Sequence, residues 1–561
     1  MNNDPSATYT QIVEQIGLLP PQPSSHCGRP EIVVACILDQ FSFECFKYEC
    51  TLVQLNIMHW RAQLDAARPH FVLVESAWHE PGWGIFGWDN AIDMYEIGKL
   101  VRYCKEAGIP TVFWNKEDPV NYFNFIGTAK RFDIVFTTDS NCLKPYRKAC
   151  GHSRVFSLPF AAQPAIHNPA GADYSRKRNV AFSGTYYKSS WYPEREADSQ
   201  IVLKPALPYG LHIYDRHGQL PDYEFPELYK AHIVGYLDYA QMVKAYRLYK
   251  IYLNVNSVKY SPTMFSRRVY ELLASGTNVI SSYALGIAEM FPGIVPIAQT
   301  EEQTAYFLET LLRNKRSSEK LSLLGLREVH AKHLYKHRFD EIWNKLGMGE
   351  KAQLPLVTVI APVSNPQAMT RVAEQFGRQT WENKQLILLA RVPLANGQSW
   401  SQPAKPNVRL LLRPADDSVE QCFHMAVKSA SGSHIAVFHE NHYYAPAYLT
   451  DLMHAFRYTD ADMVGKAAYF SCGDSLNAMH LANENRQNRY VTELAEHAWI
   501  MKKQLLADMP SPAPIGNTFA AFLEACGQQG RKLYSSDPFN YAKHAPPPAV
   551  DKDEQLRDIT V

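Results

Sequence analysis

The chain has 561 residues, with 57 Lys plus Arg against 56 Asp plus Glu and a formal net charge of +1. That length predicts several domains, about three, each burying its own core. The even charge balance speaks against a nucleic-acid backbone as the main partner, since such domains are visibly basic.

Ten cysteines fall into no C-x-x-C pair and no zinc-like Cys/His spacing, which fits reduced thiols. No apolar run approaches the ~20 residues of a membrane helix. The opening "MNNDPSATYTQIVEQIGLL" lacks a basic-then-apolar leader pattern. A soluble, cytoplasmic protein is therefore expected. Aromatics reach 12%, with 32 Tyr and 10 Trp; they suit sugar-stacking platforms or simply large α/β cores.

In chain order, a short N-terminal helix and the linker "PPQPSSHCGRP" occupy residues 1–30. Strands then follow at "EIVVACILD", "HFVLVESAW", "IPTVFWNKEDP", "FDIVFTTD" and "RVFSLPFAAQP", with a helix at "NAIDMYEIGKLVRYCKEAG" that stops at Gly108. Short apolar strands alternating with helices predict a mostly parallel sheet covered on both faces, over residues 31–170. After the linker "HNPAGADYSRKR" a second α/β series fills 171–350: "NVAFSGTYYKSS", "GLHIYD", "IYLNVNS" and "RRVYELLASGTNVIS". It closes on one long helical segment, "SSEKLSLLGLREVHAKHLYKHRFDEIWNKLG". A third α/β block, 351–545, opens at "LPLVTVIAPVSN", and a polar tail, 546–561, ends the chain.

"RRVYELLASGTNVIS" carries the clearest chemistry. Val269, Leu272 and Leu273 share one helix face, Gly276 supplies the turn, and a buried strand follows. Ligands of such sheets bind beyond the carboxyl ends of the strands, where helix N-termini favour anions. Arginines in a first turn oppose the helix dipole, so Arg268 is the main phosphate candidate, with Gly184, Lys188 and Arg195 of "GTYYKSSWYPER" beside it. Arg267 is expected to be a solvated helix end. In the first lobe, Asp39, Glu75, Glu117 and Asp118 all fall at strand ends. A carboxylate so placed can serve as a general base, with Lys116 to balance the charge. Trp78, Trp83, Trp88 and His79 follow the strand that ends in Glu75.

"VESAW", "IPTVFWNKEDP", "FDIVFTTD", "SLPFAAQPAIHNP", "VAFSGTYY" and "SRRVYELLASGTNVIS", in that order over roughly residues 31–340, resemble glycosyltransferases of the spore maturation protein CgeB type. That resemblance implies a GT-B fold of two tandem Rossmann-like lobes, an acceptor-binding first lobe and a nucleotide-sugar-binding second. It also implies that Glu271 faces the donor ribose, that Glu75, Trp78 and Trp88 are the acceptor-side candidates, and that Asp39, Glu117 and Asp118 are the catalytic candidates, one of them the general base towards the acceptor hydroxyl. Related retaining enzymes place a second Glu eight residues upstream; Thr263 stands there, so stereochemistry stays open.

The third block is similar to the GT-A fold of family-two glycosyltransferases, through "VTVIAPVSN", "QTWENKQLILL" and "ASGSHIAVFHEN". The metal-binding Asp-x-Asp position reads His439, Glu440, Asn441, a poor oxygen set for Mg²⁺ or Mn²⁺. This module is expected to be non-catalytic. The expectation for the whole chain is a metal- and cofactor-independent glycosyltransferase acting on a glycan, protein or small-molecule acceptor. The rivals are a nucleotide-sugar epimerase or hydrolase and a glycan-binding scaffold.

Overall fold

A computed structural model describes residues 5–20, 28–76, 91–172, 177–187, 193–217, 220, 223–349, 353–392, 400–401, 405–472, 479–509, 511–544 and 554–561. The chain forms two compact units, Met1–Pro169 with Lys177–Lys351 and Ala170–Arg176 with Ala352–Val561.

The first unit holds two parallel six-stranded sheets. In the first, β1 (Arg29–Ile37), β2 (Cys50–Gln54), β3 (Phe71–Glu75), β4 (Thr111–Asn115), β5 (Ile134–Thr137) and β6 (Val155–Ser157) lie in the order β2-β1-β3-β4-β5-β6. The central strands read as unbroken apolar runs because helices cover both faces; Val72, Leu73, Val74 and Phe113 are all buried. Chain order reverses between β1 and β3, which opens a crevice beyond their carboxyl ends. The half-exposed edge strand β2 has no counterpart among the runs singled out from sequence.

The second sheet comprises β7 (Arg178–Gly184), β8 (Leu211–Asp215), β9 (Ile233–Gly235), β10 (Tyr249–Asn254), β11 (Asn278–Ser282) and β12 (Ile297–Ala298), ordered β12-β11-β10-β7-β8-β9. This is the doubly wound Rossmann order, with its switch point between β7 and β10. Tandem Rossmann-like lobes are thus the architecture of the first unit.

Two expected features differ. The long helical segment is two helices, Lys315–Lys332 and Tyr335–Lys345. Between them the backbone leaves the helix to pair with the first lobe: Ala162 N–H donates to the His333 carbonyl at 2.9 Å and Tyr335 N–H to the Ala162 carbonyl at 2.9 Å. The second helix then buries Phe339 and Ile342 in the first lobe's core with Ile32 and Phe71, fastened by an Arg29–Asp340 ion pair at 2.6 Å. The stretch read as an open linker is also buried over 167–170. Ala170 joins the core of the second unit, where Gly171 N–H bonds the Asn488 carbonyl at 2.7 Å.

The second unit is a further α/β domain. β13 (Val357–Pro362), β14 (Lys384–Val392), β15 (Val408–Pro414) and β16 (His434–Val437) run parallel, in the order β15-β14-β13-β16. Mixed strands continue the sheet past β16, and a separate four-stranded sheet stands alongside. Among the described residues no helix is long and apolar enough to cross a membrane, and all the described cysteines are free thiols.

Candidate active site

The crevice between β1 and β3 collects three ionisable side chains. Asp39 follows β1 and caps the helix Gln40–Phe46, its Oδ1 accepting from Ser42 N–H at 2.8 Å. Glu75 ends β3 and is fully buried. Lys116, just past β4, reaches between them: its Nζ lies 3.0 Å from Glu75 Oε1 and donates also to Asp39 Oδ2. Burial pushes the Glu75 carboxyl up to about 8 against the pull of Lys116. Burial acts on Asp39 too, but Lys116, the Ser42 N–H and Arg267 outweigh it and hold that carboxyl at about 2. Near neutral pH the cluster is therefore a carboxylate at Asp39, an ammonium at Lys116 and a protonated Glu75.

Asp118 and Glu117 sit apart from this trio. Asp118 is fully buried and accepts from Asn115 Nδ2 at 2.8 Å, Thr137 Oγ1 at 2.6 Å and Tyr146 Oη at 3.2 Å. Burial raises its carboxyl to about 7. Its hydrogen bonds tie β4, β5 and the helix Leu143–Cys150 together. Glu117 is partly exposed and engages Asn121 Nδ2 at 3.4 Å. Trp78, Trp83, Trp88 and His79 lie outside the described residues, as does Lys188.

The second lobe offers cations at its switch point. Gly184 ends β7 with φ +156°, and a Cβ there would meet the Phe182 ring at 3.1 Å. The backbone is consequently bare where a ligand would approach. Arg216 follows β8, its N–H on the Gly184 carbonyl at 3.3 Å. Burial lowers the Arg216 guanidinium from its usual range, and the neighbouring Arg267 and Arg268 lower it further. Three arginines thus share one electrostatic field. Arg268 Nε is buried with no hydrogen-bond partner. Arg195 lies over the Tyr187 ring at 4.4 Å and donates to Ser257 Oγ. Asn254, Asn256, Ser281 and Ser282 lock the ends of β10 and β11 through amide–hydroxyl bonds of 2.9 to 3.0 Å, fixing the loop that leads to Arg267.

Glu271 lies deeper than a ligand-facing group on an open helix end. It is buried and accepts from Tyr246 Oη at 3.0 Å and Tyr239 Oη at 3.4 Å. Arg267 Nε stands 3.3 Å and His167 Nε2 3.7 Å from its Oε1. Burial opposes ionisation, but the charges of Arg267 and Arg268 and the Tyr246 hydroxyl hold the carboxyl below its usual value. Burial also lowers His167 to about 4, so the imidazole is neutral. Its Nδ1 accepts from Gln163 N–H at 3.0 Å, which leaves the proton on Nε2, 3.1 Å from Tyr239 Oη. Arg267 differs from the expected solvated helix end: its guanidinium carbon lies 3.8 Å over the ring of Phe41 in the first lobe. Arg216, His167, Tyr239 and Tyr246 carry no sequence signal of their own; only the "strand, then polar residue" pattern at "HIYDR" could have suggested Arg216.

In the second unit the position after β16 also lies at a switch point, between β13 and β16. Glu440 Oε2 accepts from Ser364 N–H at 2.8 Å and Ser364 Oγ at 3.0 Å. The His439 ring packs 4.4 Å from that of His442 and 4.6 Å from that of His497. Its Nδ1 accepts from Asn441 N–H at 3.1 Å. Among the described residues, no group of three or more His, Cys, Asp or Glu side chains is disposed to hold a metal ion.

Residues 195–344 match the family model described as glycosyl transferase-like. The comparison with curated proteins gives no match. Among solved structures, a sucrose-phosphate synthase from Thermosynechococcus elongatus is 12% identical, with a TM-score of 0.37 over 52% of this chain and 77% of its own. A mannosyltransferase from Pyrobaculum calidifontis, in complex with GDP-Man and Mn²⁺, is 14% identical, with a TM-score of 0.27 over 34% of this chain and 58% of its own. Both scores are low, and the family match carries the comparison. It falls on the lobe that holds Arg195, Arg216, Arg268 and Glu271, and that segment is similar to the glycosyl transferase-like family.

Proposed function

We propose that this protein is a glycosyltransferase that moves a sugar from a nucleotide-sugar donor, held by the second lobe, to a hydroxyl of a glycan, protein or small-molecule acceptor. One observation carries the reading. Arg216, which follows β8, shares an electrostatic field with Arg267 and Arg268 at the head of the helix after β10, beside the switch point of a Rossmann-ordered sheet and inside the segment that matches the glycosyl transferase-like family. A diphosphate leaving group needs positive charge where its negative charge develops, and guanidiniums supply it in the fork that matches phosphate oxygens. The bare Gly184 backbone lets the diphosphate approach closely. The chemistry so arranged needs no divalent cation. On the acceptor side, Asp39 is the ionised carboxylate that receives the hydroxyl's hydrogen bond, with Lys116 and Glu75 orienting it.

The test is calorimetric titration with UDP, GDP, ADP and TDP, followed by transfer assays with the sugar of whichever nucleotide binds. Binding that disappears in Arg268→Ala and Arg216→Ala supports the reading. A protein that binds none of these nucleotides, or binds them unchanged in both variants, refutes it.

A further inference from the structure

We propose that Arg267 is a positioning residue that couples the donor lobe to the acceptor lobe: anchored on Glu271, it holds the Asp39–Phe41 corner in register with the donor site. The proposal deepens the function above and rests on it.

The guanidinium makes contacts from both lobes at once. Its Nε pairs with Glu271 Oε1 at 3.3 Å. Its Cζ lies 3.8 Å from the ring centroid of Phe41 and 5.3 Å from that of Tyr239. Phe41 meets Tyr239 edge-on at 4.5 Å. Tyr239 in turn bonds Glu271 at 3.4 Å and His167 at 3.1 Å. A closed circuit results, in which two residues of the first lobe (Phe41 and His167) and three of the second (Tyr239, Arg267 and Glu271) fix one another. Phe41 is two residues beyond Asp39, in the first turn of the helix that Asp39 caps. Any shift of Phe41 therefore moves the Asp39 carboxylate.

Charge reinforces the geometry. Arg267 is among the groups that keep Asp39 ionised, after Lys116 and Ser42, and it is the largest favourable influence on Glu271. One cation thus serves a carboxylate in each lobe. Lysine could keep the charge but not the planar guanidinium that lies over Phe41 while its Nε pairs with Glu271. Misplacing a reacting group by about 1 Å can cost roughly 100-fold in rate; a residue that sets register between lobes should act on turnover rather than on donor affinity.

The experiment uses the full chain, the diphosphate that binds most tightly and two readouts. Amide exchange over residues 39–46 is compared with and without the diphosphate, in the parent and in Arg267→Lys and Phe41→Leu. Phe41→Leu removes the ring under the guanidinium while leaving the Arg267–Glu271 pair intact, so it guards against a folding defect. In the parent, the diphosphate should slow exchange in 39–46; in both variants it should bind within about threefold of the parent affinity yet leave that exchange unaltered. Donor turnover, by transfer or by hydrolysis, should fall about 10- to 100-fold in both, with KM for donor little changed. The double variant should be no worse than either single one, because both cut the same link. Equal protection in parent and variants, no protection in the parent despite binding, or loss of affinity matching the loss of turnover would each overturn the coupling role while leaving the donor site standing. Absence of any diphosphate binding to the parent removes the donor site itself, and the proposal with it.

Discussion

Thr263 Oγ1 accepts the Ser140 N–H at 2.9 Å and donates to the Thr138 carbonyl at 2.7 Å, joining the loop after β5 to the loop before Arg267. Ser261 repeats the link, its hydroxyl 2.5 Å from Asp139 Oδ1. The position eight residues before Glu271 is therefore occupied by a residue that ties the two lobes together. Thr263→Val keeps the shape and deletes the hydroxyl. Two hydrogen bonds at about 0.5–1.5 kcal/mol each are lost, so we expect a lower melting temperature and, in small-angle scattering, a more open pair of lobes. A variant with unchanged melting and scattering would show that the contact holds nothing.

Arg268→Ala is expected to weaken nucleoside diphosphate binding by about 1.5–3 kcal/mol, the worth of a hydrogen bond to a charged group, without changing the fold. Glu271→Ala should behave differently. Its carboxylate is the partner of Arg267, Tyr246 and Tyr239 inside the protein. Losing a hydrogen bond to a buried charged group typically costs about 1.5–3 kcal/mol, and Tyr246 and Arg267 lose their partner together. Loss of stability should accompany its loss of binding, measured by thermal unfolding beside calorimetry. A Glu271→Ala protein as stable as the parent would restore the simpler view of a ligand-facing carboxylate.

The difference between these two residues marks how far the sequence could be read. Apolar runs ending in polar residues located β1, β3, β4 and β5, and with them Asp39 and Glu75, because a strand buried on both faces has to be apolar up to its end. The Gly276 turn and the buried strand after it were legible for the same reason. What joins the lobes was not. His167 lies far from Tyr239 and Glu271 in the chain, and no local pattern marks a lone histidine or tyrosine as half of a long-range pair. Arg267 was misread because helical position says which face a side chain leaves from, not that Phe41 waits there. The break at His333–Leu334 was invisible because the residues there are acceptable in a helix; a partner strand segment at Ala162 overrides them.

Asp118 offers a test that separates structure from catalysis by pH. Its folded carboxyl is raised from 3.8 to about 7, so between these values the native state holds a proton that the unfolded chain has released. The stability it contributes is complete below about pH 4 and is lost as pH rises towards 7, at up to about 1.4 kcal/mol per pH unit. Asp118→Asn carries no such proton. Its melting temperature should gain on the parent as pH is raised from 4 to 8, while turnover stays within a few-fold of the parent. Turnover lost in a well-folded Asp118→Asn protein would return this residue to the list of catalytic groups.

The last prediction asks which unit does the chemistry, and metal dependence is the lever. If the second lobe acts, the diphosphate is neutralised by Arg268 and Arg216, and EDTA should leave turnover intact. If the unit of residues 352–561 acts, His439 and Glu440 must bring Mg²⁺ or Mn²⁺ against the donor. Glu440 is already committed to Ser364, at 2.8 and 3.0 Å, and the Nδ1 of His439 accepts from Asn441. Mg²⁺ prefers near-octahedral oxygen coordination at about 2.0–2.1 Å, which one carboxylate and one imidazole supply poorly. The double variant His439→Ala with Glu440→Ala should therefore retain the parent's turnover within about twofold, a margin of roughly 0.4 kcal/mol in barrier height. Strict dependence on added Mn²⁺, abolished by Glu440→Ala and indifferent to Arg268→Ala, would transfer the reaction to the second unit and leave the arginine cluster as a nucleotide-binding regulatory site.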